Sequence, residues 1–120
     1  MKLSVNKLNI GVVGLGRIGK RHALNVLHRV PRARLHCVCS VATHEIQWAK
    51  DNLQSEGVSV FAEFNEMVRT PGLHAVIIAS PTALHVEHTM VAIAHGVHVL
   101  CEKPVTTELP VVSSTRKRES

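Results

Sequence analysis

Three glycines in one hexapeptide, Gly14-Leu15-Gly16-Arg17-Ile18-Gly19, separate a short apolar run, Leu8 to Val13, from a stretch with helical spacing. No other feature constrains the fold as strongly. The G-x-G-x-x-G spacing alone is a weak signal, but between a strand and a helix each glycine has a physical task. Gly14 permits a tight turn. Gly16 has no side chain, so anionic oxygens can approach the backbone. Gly19 lets the helix pack close to the strand. The N-terminus of such a helix presents unpaired N–H groups and a partial positive charge to phosphate oxygens. Arg17 adds charge, and Leu15 and Ile18 complete the loop that would follow a pyrophosphate.

Downstream, short apolar runs alternate with helical patterns. Arg17 to Val30 places Ile18, Leu24, Leu27 and Val30 at helical spacing, and Pro31 ends it. Leu35 to Val41 reads as a second strand. Thr43 is read as the cap of a helix running to about Leu53, with Ile46 and Ala49 inward and Glu45 and Lys50 outward, and Gly57 breaks it. Val58 to Phe61 is a brief third strand, and Phe64, Met67 and Val68 mark a short helix before Pro71-Gly72. Ala75 to Ala79 is apolar without alternation, as expected for a parallel strand covered on both faces. Thr82 to His95 is a helix stopped by Gly96, and Val97 to Cys101 a fifth strand. The pattern predicts an α/β fold: a doubly wound parallel sheet of Rossmann type, about five strands with helices on both faces. Aromatics make up 2% of the chain, so Val, Ile, Leu and Ala must build the core.

Several other functions are excluded by what the residues lack. The net charge is +5, but its two small basic clusters, Arg17-Lys20-Arg21 and Arg116-Lys117-Arg118, lack interleaved aromatics. Nucleic acid is therefore not the expected partner. Gly14, Gly19 and Lys20 also fit the start of a triphosphate loop. That motif needs Ser or Thr next, and Arg21 stands there; the Ala75–Ala79 strand also runs into Ser80-Pro81 rather than a metal-binding Asp. His85 and His88 are three residues apart without a third matched ligand, so no metal site is expected. Cys37, Cys39 and Cys101 form no disulfide framework, and Cys37 and Cys39 share one strand face as small buried side chains. The chain shows no secretory leader and no apolar stretch of spanning length. A cytoplasmic protein without membrane contact is the expectation.

A Rossmann unit usually carries an acid about 20 residues beyond its loop, where it binds the ribose 2′-hydroxyl. Ser40 occupies that place, followed by Val41, Ala42 and Thr43. With no carboxylate to repel a 2′-phosphate, the sequence slightly favours NADP(H) over NAD(H). Ser40, Thr43 or His44 could hydrogen-bond the phosphate.

Two further motifs lie at strand ends: Ser80-Pro81-Thr82-Ala83-Leu84-His85 and Cys101-Glu102-Lys103-Pro104. Together with the glycine loop they resemble the N-terminal domain of the Gfo/Idh/MocA family over roughly residues 8 to 107. The resemblance implies an NAD(P)-dependent oxidoreductase of sugars, polyols and related alcohols or carbonyls. It implies that Ser80, Pro81, Thr82 and His85 line the cofactor, and that Glu102 and Lys103 form the family's E-K-P motif. Lys103 would be the catalytic group, its ammonium stabilising oxyanion character on the reacting substrate during hydride transfer.

The domain is expected to span residues 1–107, with 108–120 an irregular tail. The family continues into a second, substrate-binding domain, which this sequence lacks, so the chain looks truncated. Two functions remain open: the cofactor-binding part of an oxidoreductase, with a small-molecule substrate only if the second domain is supplied, or a truncated cofactor-binding or interaction module without turnover. An unpaired edge at Val97–Cys101 would favour self-association.

Overall fold

The protein is described by a computed structural model covering residues 7–101 and 111–112. In chain order, β1 (Leu8–Val13) leads through the glycine loop to α1 (Arg17–Arg29), β2 (Ala33–Cys39) and α2 (Thr43–Asn52). A 3-10 turn at Gln54–Glu56 precedes β3 (Ser59–Phe61) and α3 (Phe64–Met67). Then come β4 (Ala75–Ile78), α4 (Thr82–Ala94), β5 (His98–Cys101) and β6 (Val111–Val112). Among the described residues these strands form one sheet in the order β3-β2-β1-β4-β5-β6. The first five are parallel, as the alternation of strand and helix patterns predicts.

The sixth strand was not expected. Val111 pairs antiparallel with Cys101, and Val112 with Leu100, inside the stretch read as irregular. The edge of β5 expected to stay unpaired therefore has a partner along those two residues. Two β-branched valines suit an extended backbone, and a strand edge offers them free N–H and C=O groups. Two residues are too few for an alternation signal. The edge is thus covered over Leu100 and Cys101 of β5.

Both faces of the sheet are covered. Ile10, Val12, Leu35, Val38 and Ile77 face Ala23 and Val26 of α1 and Ala49 of α2. Val13, Cys37, Cys39, Val76 and Val99 face Phe64 and Met67 of α3 and Ala92 of α4. β4 is buried along its whole length, which explains its unbroken apolar sequence. Strand β2 is less regular. Ile10 pairs with Leu35 but Gly11 with Cys37, so His36 is an extra residue in the ladder. This bulge inverts the side-chain alternation. Leu35 and Val38 thereby meet the same face, and Cys37 and Cys39 meet the other.

The order of strands reverses direction between β1 and β4, the place where an open parallel sheet leaves a crevice at its C-terminal ends. Backbone bonds carry the ladder one residue past those ends. Gly14 N donates to Cys39 O at 2.8 Å, Ala79 N to Val13 O at 2.8 Å, and Ser40 N to Phe61 O at 3.2 Å. Three loop starts are thus fixed side by side.

Cys37 and Cys39 are buried free thiols. Burial pushes both up to about 12, with the Cys39 thiol adding to the effect on Cys37 and Glu63 on Cys39. The reactive thiolate is therefore suppressed. In a Cys101→Ser background, the native chain should leave an aromatic disulfide reagent unreacted, and denaturant should release two thiols. Rapid labelling of the native chain would contradict this packing.

Candidate functional site

The turn after β1 is built by close backbone contact. Gly14 has φ +94°, and a Cβ there would lie 2.5 Å from Ser80 N and 2.6 Å from the Ala79 carbonyl carbon. At Gly19 a Cβ would lie 1.7 Å from Gly14 O. These two glycines let α1 and the loop after β4 close on the turn. Gly16 differs: a Cβ there would meet nothing within 4 Å. Its bareness serves open space.

Gly16 is also the N-cap of α1. The cap has no side-chain acceptor, and the first turn has no acid. The N–H groups there have neither, so the positive end of the helix is left available to an anion. Lys20, the lysine of the overlapping triphosphate motif, sets its ammonium 5.1 Å from the Trp48 ring centroid instead.

The crevice is a cavity of about 650 Å³. Gly14, Leu15, Gly16, Arg17, Ile18 and Gly19 line it, together with Ser40, Ser80 and Pro81. The structure thus brings together nine of the residues singled out from sequence. Thr82 and His85 are not in the lining. Thr82 opens α4. The His85 ring turns to the sheet, where its Nε2–H donates to Ile78 O at 3.2 Å. Glu102 and Lys103 lie outside the described residues.

Sequence reasoning missed two polar groups. The first is Glu45, in the first turn of α2. Its Oε1 accepts from Ser40 Oγ at 2.5 Å and from Leu15 N at 3.2 Å. The premise that no carboxylate stands near Ser40 is corrected by this contact. The strand end carries none, but Ser40 Oγ also accepts from Ala42 N at 3.1 Å, which turns the chain sharply into α2. That turn brings Glu45 back over the strand end, five residues on. An acid in the first turn of the helix after β2 was the signal that could have found it.

The second is His88, at 9% exposure. Its Nδ1 lies 2.8 Å from Ser80 Oγ, in hydrogen-bond contact, and its ring centroid lies 4.5 Å from that of Phe64. Burial lowers its pKa from 6.5; Glu87 opposes that shift and His85 adds to it. His88 thus pairs with a strand-end serine, and His85 with a backbone carbonyl.

A profile of the oxidoreductase family with NAD-binding Rossmann fold, Gfo/Idh/MocA, matches residues 8–116. The chain belongs to the Gfo/Idh/MocA oxidoreductase family. It is 31% identical over 103 residues to the uncharacterized oxidoreductase YrbE of Bacillus subtilis, covering 86% of this chain and 29% of that one. It is 34% identical over 105 residues to the inositol 2-dehydrogenase of Rubrobacter xylanophilus, covering 88% and 29%. The scyllo-inositol dehydrogenase of Lactobacillus casei, solved with bound NAD(H) and scyllo-inositol, superposes with TM-score 0.72 at 40% identity. That match covers 85% of this chain and 29% of the solved one. The chain therefore spans about 29% of the length of these Gfo/Idh/MocA relatives. It carries the family's NAD-binding domain. No helix among its described residues is long and apolar enough to cross a membrane.

The cavity fits the dinucleotide that this family implies. An acid-free helix N-terminus, a loop position open where a Cβ would project, and a carboxylate from the first turn of α2 held by Ser40 are the donor and acceptor set such a ligand needs.

Two outcomes follow from this geometry. Gly16→Val should keep the fold and weaken NADH binding about tenfold or more. Gly19→Ala should instead cost about 3 kcal/mol of stability through overpacking. Urea melts and fluorescence titrations check both, and equal behaviour of the two variants would contradict the division of labour. For His88, the unfolded chain takes up a proton below pH 6.5 that the folded chain resists. Stability at this residue is therefore fully present above pH 6.5 and is lost as pH falls toward the lowered folded value. His88→Gln should flatten the acid-side fall of the urea midpoint, and an unchanged slope would refute the buried neutral imidazole.

Proposed function

We propose that this chain is the dinucleotide-binding part of an oxidoreductase that transfers hydride between a nicotinamide cofactor and a polyol or sugar-like alcohol or carbonyl. The observation that carries the reading is the uncapped, acid-free N-terminus of α1 opening through bare Gly16 into a cavity at the β1–β4 switch point. The substrate class is supported by the relatives named inositol dehydrogenases.

When bound, the nicotinamide supplies the hydride acceptor or donor. The chain's own residues do the rest. The loop amides from Gly16 to Ile18 hold the pyrophosphate, with Arg17 adding charge. Ser80 and Pro81 form the wall at the end of β4, and His85 braces that wall through the Ile78 carbonyl. Thr82 begins the helix behind it. Lys103, with Glu102 beside it in sequence, would place an ammonium near the reacting oxygen and favour its anionic form. Ser40 in place of an acid leaves room for NADP(H), whereas the nearby Glu45 carboxylate favours NAD(H).

The second reading, a cofactor-binding module without turnover, is favoured for these 120 residues by their share of the relatives' length. Hydride transfer needs a substrate held about 3.5 Å from the ring and a partner for the hydroxyl proton. We propose that the substrate pocket draws on chain beyond these residues. The purified 120-residue chain should bind NADH saturably yet show no NAD(P)H formation with NAD(P)+ and a panel of inositols and sugars. Turnover by this chain would overturn the module reading. No dinucleotide binding at millimolar concentration would overturn the function itself.

A further inference from the structure

We infer that Glu45, held in place by Ser40, is the residue that selects the dinucleotide, and that it selects NAD(H) against NADP(H). The inference rests on the dinucleotide-binding function proposed for the cavity. It reverses the preference read from Ser40 alone.

The argument starts at the end of β2, where a Rossmann site meets the adenosine ribose. Ser40 is 4% exposed and cannot itself supply a charge. Its one O–H donor is committed to Glu45 Oε1 at 2.5 Å, and it accepts from Ala42 N at 3.1 Å. The same Oε1 accepts from Leu15 N at 3.2 Å. The carboxylate therefore bridges the loop after β1 and the turn after β2, and it lines the cavity between them. Two donors aimed at one oxygen fit an ionised glutamate, which accepts only. The other oxygen, Oε2, has the His44 ring at 3.9 Å. The His44 side chain is 81% exposed, so this pairing is weak and screened.

This arrangement discriminates by both attraction and repulsion. Carboxylate oxygens accept hydrogen bonds from a ribose diol. A 2′-phosphate brings close to two negative charges at neutral pH and only acceptor oxygens. It would need an arginine, yet residues 41–44 read Val-Ala-Thr-His. An acid at the strand end is thus replaced by a serine that positions an acid from the next helix.

The test is equilibrium binding of NADH and NADPH to the 120-residue chain, wild type and Glu45→Gln, read by nicotinamide fluorescence. Wild type should prefer NADH by about tenfold or more. Glu45→Gln should cut that ratio about tenfold, in part by tightening NADPH, which a merely structural loss would not do. If Glu45→Gln loses its far-UV helical signal, Ser40→Ala reads the same quantity, because an untethered carboxylate should also lower the ratio. Wild type binding both dinucleotides equally would overturn the role while leaving the dinucleotide function standing. So would a ratio unchanged in the variant, or equal weakening of both ligands. Binding of neither by wild type would overturn the role and the function together.

Discussion

The site depends on a contact between backbones. The turn after β1, the first turns of α1 and the loop after β4 approach so closely that a single methyl group at Gly14 or Gly19 would overlap backbone atoms. Three consequences follow from that one contact. Helix α1 lies directly on the sheet, with Ala23 and Val26 buried against β1 and β2. Its N-terminus points into the crevice without a capping side chain. Ser80, at the end of β4, becomes a near neighbour of the glycine loop although the sequence separates them by more than 60 residues. Parallel pairing supplies the alignment, since every C-terminal strand end among the first five falls on one edge of the sheet.

The electrostatics of the crevice are divided along its length. In the middle, after β1, a helix N-terminus presents unpaired N–H groups and attracts negative charge. Toward β2, Glu45 accepts hydrogen bonds and repels negative charge. Toward β4, Ser80 and the neutral His88 satisfy each other beside Phe64, with the Glu87 carboxylate also on that side of the cavity. Leu15, fully buried, and Val13 form an apolar floor beneath. A ligand that carries a diphosphate in its middle and different groups at its two ends matches such a division. A compact triphosphate does not, and Lys20 is engaged over Trp48.

Much of this was legible in the sequence because it depends on local pattern. The Leu8–Val13 strand matches its expected bounds, and α1 ends at Arg29, one residue short of the position read from Pro31. The apolar block at β4 marked its double burial. Strand β2 lies two residues earlier than expected, because the side chain of Ser40 accepts the Ala42 amide and turns the chain before Val41. Glu45 carried a signal as an acid in the first turn of the helix after β2, but how far that turn folds back over Ser40 depends on tertiary structure. The bulge at His36 also escaped, because alternation cannot show an extra residue until its partner strand is known. His88 was read by its spacing from His85, whereas what places it is a buried serine on another element.

The central claim is that the glycine loop at the β1–β4 switch point holds a dinucleotide. Titration of NADH into the uniformly 15N-labelled chain, followed by amide chemical shifts, tests it most directly. The expected result is saturable movement of the Leu15, Gly16, Arg17 and Ile18 amides, with Ser40 and Ser80 following on the two flanks. Shifts confined to the outer basic face of α1, at Arg21, Asn25 and His28, would show a charge-driven surface association and contradict the account.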